Sequence, residues 1–121
     1  MKLKVCGLSN PIEVETCVSL NVDYCGFILN YPKSYRNISL DKAKDLTKIN
    51  KKNTKYVGVL VKPTDEQLNQ FSKLDLDYFQ LYGNFNPDEL IKIKEKTYKL
   101  IGNGLGCCIG GSIFKRQCFL F

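Results

Sequence analysis

Proton chemistry in this chain must be done without histidine, because its 121 residues contain none. The usual acid–base group at neutral pH is therefore absent, and the work falls to Cys, Asp, Glu, Lys or Tyr. Cysteine is the most reactive of these through its thiolate. Six cysteines are present. Cys6, Cys17 and Cys25 sit inside apolar runs, where a free cysteine packs as a small hydrophobe, while Cys107, Cys108 and Cys118 crowd the last stretch. A disulfide framework needs a secreted context, and without histidine or a C-x-x-C pair the pattern does not indicate zinc. Two spacings matter more. Lys4 and Cys6 lie two residues apart, as do Gln80 and Tyr82, so in a strand each pair shares one face. A lysine beside a cysteine would favour the thiolate.

Strands must carry those pairs, and five short apolar runs qualify: Leu3–Cys6, Tyr24–Leu29, Tyr56–Val61, Tyr78–Leu81 and Tyr98–Ile101. They are rich in Val, Ile, Tyr and Phe, which suit a packed pleated surface. Helix signals fill the gaps. Asn10-Pro11 offers a cap and a first-turn proline, Ser39 caps a segment with Leu40, Ala43 and Leu46, and Thr64-Asp65-Glu66-Gln67 has the form of a capping box. Asn86-Pro87-Asp88-Glu89 repeats the scheme. The order β-α-β-α-β-α-β-α-β predicts an α/β fold with a parallel sheet. Runs such as Val57-Gly58-Val59-Leu60-Val61 lack polar alternation, as expected of strands covered on both faces. Two architectures satisfy this pattern: an open flavodoxin-like sheet, or part of a (β/α)₈ barrel. A complete barrel typically needs about 250 residues, so here a barrel reading means about four βα units plus a fifth strand.

Composition bounds the function. The chain is 44% hydrophobic and 25% charged, so it can form a packed core. The net charge of +6 comes from lysines dispersed over helical segments, with no arginine cluster and no interleaved aromatic platform. A solvated surface accounts for it, and neither nucleic acid nor a membrane is the expected partner. An anionic small molecule is. The amino terminus enters a strand-like run directly, without a signal peptide, which places the expected compartment in the cytoplasm.

Four segments, read in order, carry a family resemblance. Lys4-Val5-Cys6-Gly7-Leu8 resembles the K-x-C-G-[LI] opening of phosphoribosylanthranilate isomerases. Gly26-Phe27-Ile28 through Tyr31-Pro32-Lys33-Ser34-Tyr35-Arg36 resembles their second strand and following loop. Val57-Gly58-Val59 is similar to the third-strand V-G-V-F, and Gln80-Leu81-Tyr82-Gly83 to the fourth-strand Q-L-H-G. The resemblance covers residues 2 to about 101 and implies the amino-terminal half of a (β/α)₈ barrel, with residues 1–101 as its domain. It implies a cofactor-free Amadori rearrangement of N-(5-phosphoribosyl)anthranilate to 1-(2-carboxyphenylamino)-1-deoxyribulose 5-phosphate, in tryptophan biosynthesis. By resemblance Cys6 is the general base, Arg36 holds the anthranilate carboxylate, and Gly7, Gln80 and Tyr82 line the substrate. Tyr82 departs from the family's usual histidine, and Asn84 from its usual aspartate.

The family's general acid and phosphate loops lie downstream of this match, so the resemblance implies a truncated enzyme, impaired alone. From Gly102 the sequence changes character, and residues 102–121 read as an apolar Gly/Cys-rich tail of unrelated character. Its Gly102-x-Gly104-x-Gly106 run fails the dinucleotide fingerprint, which needs glycine where Cys107 stands. An open half-barrel would have a wet inner face and unpaired edges, and self-association is expected of it. The competing expectation is a non-catalytic flavodoxin-like module that binds an anionic ligand or a protein partner.

Overall fold

A computed structural model describes residues 2–97 and 100–101. Its elements run β1 (Lys4–Cys6), α1 (Pro11–Ser19), β2 (Tyr24–Ile28), α2 (Leu40–Thr47), β3 (Lys55–Val61), α3 (Asp65–Ser72), β4 (Tyr78–Tyr82), α4 (Pro87–Thr97) and β5 (Leu100–Ile101). Each helix starts where the sequence places a cap. Asn10 Oδ1 accepts from Glu13 N at 3.0 Å, Ser39 Oγ from Lys42 N at 3.2 Å, and Asn86 Oδ1 from Glu89 N at 2.8 Å. Thr64 and Gln67 form a reciprocal capping box. These bonds satisfy amides that have no partner within the first helical turn. The tail, residues 102–121, lies outside the described residues, as do Tyr98 at the head of the expected fifth strand and Cys107, Cys108 and Cys118.

All strand pairs are parallel and the spatial order is β1-β2-β3-β4-β5. That order removes the flavodoxin-like alternative, whose sheet reverses direction beside its first strand. A sheet wound in one direction keeps its helices on one face, as a (β/α)₈ barrel does. The packing agrees. Cys25, Phe27, Tyr56, Leu60, Phe79 and Leu81 join residues of all four helices, among them Val14, Leu46, Phe71 and Ile93, in one apolar cluster. Ile28, Val57 and Val59 are buried but lie outside that cluster, because alternation turns them to the inner face.

The inner face curls. Lys4 Nζ donates to Gln80 Oε1 at 2.6 Å, although β2 and β3 separate their strands. In a flat sheet three strand spacings would hold them about 14 Å apart. Tyr24 and Tyr78, two strands apart, likewise meet edge to face at 5.9 Å between ring centroids. The expected wet interior is therefore corrected: Lys4 is 1% exposed and Gln80 2%, because curvature turns the inner side chains towards one another.

At the amino-terminal ends of the strands, Asp23 Oδ2 accepts from Leu3 N and Asp77 Oδ2 from Tyr56 N, each at 2.8 Å. Each aspartate precedes a strand and ties down the start of its neighbour. Lys51 Nζ pairs with Asp75 at 2.9 Å and Asp77 at 3.1 Å, and lies 5.3 Å from the Tyr56 ring centroid. Tyr56 Oη donates to Ile49 O at 2.8 Å. Burial alone would push the Lys51 pKa down, but its hydrogen bonds to Asp75 and Asp77 outweigh burial and raise it. Burial, aided by the charges of Cys25, Asp75 and Asp77, pushes the Tyr56 phenol up to about 12. Both groups hold their protons more tightly when folded than when unfolded. Their contribution to stability is thus complete below about pH 10, the unfolded value for tyrosine, and is lost as pH rises through the folded values. Thermal melts should show stability falling from about pH 10 to about pH 12, with a shallower decline in Tyr56→Phe than in the parent. Equal slopes in the two proteins would contradict this assignment.

Candidate active site

The carboxyl-terminal ends of β1 to β4 and the loop after β2 enclose a cavity of about 420 Å³, lined by Cys6, Ile28, Tyr31, Ser34, Arg36, Val59, Val61 and Tyr82. Barrel enzymes place their chemistry at this end of the strands. The walls are mostly apolar, with one guanidinium, one thiol and a few hydroxyls. Such a space suits a flat apolar group that carries an anionic substituent.

The loop after β2 is built by short-range bonds. Ile38 N donates to Ile28 O at 2.9 Å, while Ser34 N donates to Tyr31 O and Asn37 N to Ser34 O, each at 3.0 Å. Asn37 Oδ1 accepts from Tyr31 N at 2.7 Å, and Ser34 Oγ from Arg36 N at 3.2 Å. Asn30 continues the β2–β3 pairing with its side chain, accepting from Val61 N at 2.6 Å and donating to Val61 O at 2.9 Å. The folded loop brings Arg36 back over the end of β1, where Nη1 donates to Cys6 O at 3.0 Å. Arg36 Nε is buried and donates to nothing. A buried unsatisfied donor costs roughly 1–3 kcal/mol.

Gly7 makes this approach feasible. Its φ of +82° lies in the left-handed region, and a Cβ there would stand 2.7 Å from both Cδ and Nη1 of Arg36. Only glycine accepts that backbone angle readily and leaves room for the guanidinium. Gly26 has the same function one strand over. A Cβ at Gly26 would meet Cys6 Sγ at 3.0 Å and Lys4 Cε at 3.0 Å, so the glycine leaves space that the thiol and the lysine stem both border.

Cys6, Arg36 and Tyr82 therefore share the cavity, and Gly7 underlies Arg36. Gln80 does not line it. It sits behind, accepting from Lys4 and donating through Nε2 to Tyr82 Oη at 3.0 Å. Ile28, Tyr31, Ser34, Val59 and Val61 complete the lining; all but Val61 belong to the quoted motifs, and alternation from Val57 points the two valines inward. Among the described cysteines, Cys17 and Cys25 are buried and Cys6 is partly exposed. Burial pushes the Cys17 thiol up, and the Cys25 thiol up to about 12, which suits inert packing groups. Among the described residues there is no group of three His, Cys, Asp or Glu side chains that could hold a metal, and no helix is long and apolar enough to cross a membrane.

The family model described as N-(5′-phosphoribosyl)anthranilate (PRA) isomerase matches residues 3–103. The N-(5′-phosphoribosyl)anthranilate isomerase of Streptococcus mutans is 41% identical over 88 residues, covering 72% of this chain and 45% of the relative. That of Streptococcus pneumoniae is 40% identical over 88 residues, covering 72% and 43%. A crystal structure of phosphoribosyl anthranilate isomerase in complex with reduced 1-(o-carboxyphenylamino)-1-deoxyribulose 5-phosphate superposes with a TM-score of 0.74 at 30% identity, over 84% of this chain and 51% of that one. The enzyme from Thermotoga maritima gives a TM-score of 0.74 at 30% identity, over 84% and 48%. The chain spans about half the length of the curated relatives it matches.

The clash at Gly7 has a measurable form. Gly7→Ala should destabilise the fold by about 1–3 kcal/mol in urea unfolding, from backbone strain and displacement of Arg36. In an Arg36→Ala background the same change should cost less, since only the strain remains. An undiminished cost in the double variant would show that Arg36 does not press on Gly7.

Proposed function

The chain belongs to the N-(5′-phosphoribosyl)anthranilate isomerase family, and from that premise we propose that its cavity receives the anthranilate part of the substrate, with Cys6 as base and Arg36 as carboxylate clamp. The observation that carries the reading is the junction of the two residues: Arg36 Nη1 is spent on Cys6 O at 3.0 Å, which anchors the guanidinium to the strand end that bears the thiol, and both residues line one apolar cavity. The apolar walls at Ile28, Val59 and Val61 suit an aromatic ring, and the guanidinium on the same rim suits its carboxylate. Charge-assisted bonds of that kind orient a carboxylate as well as bind it.

The reaction is an aldose–ketose rearrangement in tryptophan biosynthesis. Protonation of the furanose oxygen opens the ring to a Schiff base. The Cys6 thiolate then takes the proton from C2′, leaving an enolamine that tautomerises to the ketone of 1-(2-carboxyphenylamino)-1-deoxyribulose 5-phosphate. Anchoring the carboxylate at Arg36 would hold the sugar end within reach of Sγ, a positioning effect that is worth more than the bond itself. Tyr82 closes the cavity wall and presents a hydroxyl that accepts from Gln80. This reading gives residues 2–97 the base and the carboxylate clamp, and assigns them neither the ring-opening acid nor the grip on the phosphate.

Two measurements test the assignment. Anthranilate binding, followed by its own fluorescence, should weaken roughly 10- to 100-fold in Arg36→Met, the loss of a charged hydrogen-bonding partner, and hold steady in Cys6→Ala. Turnover of N-(5-phosphoribosyl)anthranilate by the protein should fall by about 10²–10⁴ in Cys6→Ala, the usual contribution of a positioned base. Unchanged binding in the first variant, or unchanged turnover in the second, would remove the role in question.

A further inference from the structure

The least expected residue in the molecule is Lys4. Lysine is almost never fully buried, yet Lys4 is 1% exposed, on the inner face of β1. Its four-carbon stem could have carried the ammonium to solvent. Instead Nζ is held at 2.6 Å from Gln80 Oε1. Gln80 is itself 2% exposed and is braced from its other end by Tyr82 Oη at 3.0 Å. An ammonium only donates and an amide nitrogen only donates, so this chain of bonds has one polarity: Lys4 to Gln80, and Gln80 to Tyr82. An amide acceptor fixes the position of the ammonium without contributing an opposing charge.

Beside that fixed charge lies Cys6. Gly26 on the neighbouring strand leaves room for both, since a Cβ there would stand 3.0 Å from Cys6 Sγ, 3.0 Å from Lys4 Cε and 3.3 Å from Lys4 Nζ. The sulfur and the lysine head thus border the same small space, in an interior where opposite charges attract more strongly than in water. We propose that the Lys4 ammonium, held by Gln80 and admitted by Gly26, is the positioning charge that faces the Cys6 sulfur and sets its reactivity as a base. The proposal rests on the reading of Cys6 as the reacting base, and gives that base its source of activation in a chain without histidine. Lys4 touches no substrate; it acts through the sulfur.

The test needs no substrate, so its outcome is separate from that of the turnover assay. Alkylation of Cys6 in the full chain is followed by peptide mass spectrometry, which resolves it from the other cysteines. Two reagents are compared at one pH: neutral iodoacetamide and anionic iodoacetate. Lys4→Met and Lys4→Gln both remove the charge, and Lys4→Gln keeps a donor for Gln80. In both variants the iodoacetamide rate should fall roughly three- to tenfold, because the positive charge facing the sulfur is gone. The iodoacetate-to-iodoacetamide ratio should fall as well, and Lys4→Arg should retain it. Arg36 is unchanged throughout, so its charge cancels in the comparison. A rate and ratio in Lys4→Gln equal to those of the parent would overturn the proposal even if the parent turns over substrate. A fall in both, in a protein that does not, would support the charge pair and count against the proposed function instead.

Discussion

A buried ammonium organises this protein. Taking a charge out of water costs several kcal/mol unless polar partners receive it, and Lys4 finds Gln80 on a strand three places away in the sheet. The bond can close only if the sheet curls, and the curl is what gathers the carboxyl-terminal ends of β1 to β4 around a single cavity. Flattened, the same strands would leave Cys6 and Tyr82 three strand spacings apart on one exposed face. The contact that satisfies one lysine is thus tied to the shape on which the site depends.

The two ends of the strands carry different burdens. At the amino-terminal end, Asp23 and Asp77 bind the amides of adjacent strands, and Lys51 locks Asp75 and Asp77 together. Donors and acceptors there are matched, and what the arrangement provides is stability. At the other end, Gly7 sits at a positive φ, Arg36 keeps a buried nitrogen without an acceptor, and a ten-residue stretch, 29–38, folds back on itself instead of joining a helix directly. Unsatisfied groups and strained backbone at one end, tolerated because the other end is sound, are what a binding site requires.

The sheet's two faces divide the cysteines in the same way. Cys25 faces outward into the helical layer beside Cys17, where burial holds both thiols protonated. Cys6 faces inward, partly exposed, with Lys4 bordering the same space as its sulfur and Arg36 bonded to its backbone carbonyl. One residue type becomes packing or chemistry according to which side of a pleat it occupies.

Much of this was legible in the sequence, because it depends on local rules. Caps at Asn10, Ser39, Thr64 and Asn86 marked the helix starts, runs of β-branched and aromatic residues marked the strands, and alternation put Lys4 with Cys6 and Gln80 with Tyr82. The quoted motifs pointed to the family, and Cys6, Arg36 and Tyr82 do meet at one cavity. Strand order could not be read, since parallel βα units have the same local pattern in a flavodoxin-like sheet and in a barrel. Nor could the burial of Lys4, the withdrawal of Gln80 behind Tyr82, or the space that Gly7 and Gly26 leave for larger neighbours. Each of these depends on residues far apart in the chain being brought together by curvature. The amino-acid sequence determined the elements and the chemistry they carry, and only the tertiary structure decided which charges and thiols would face each other.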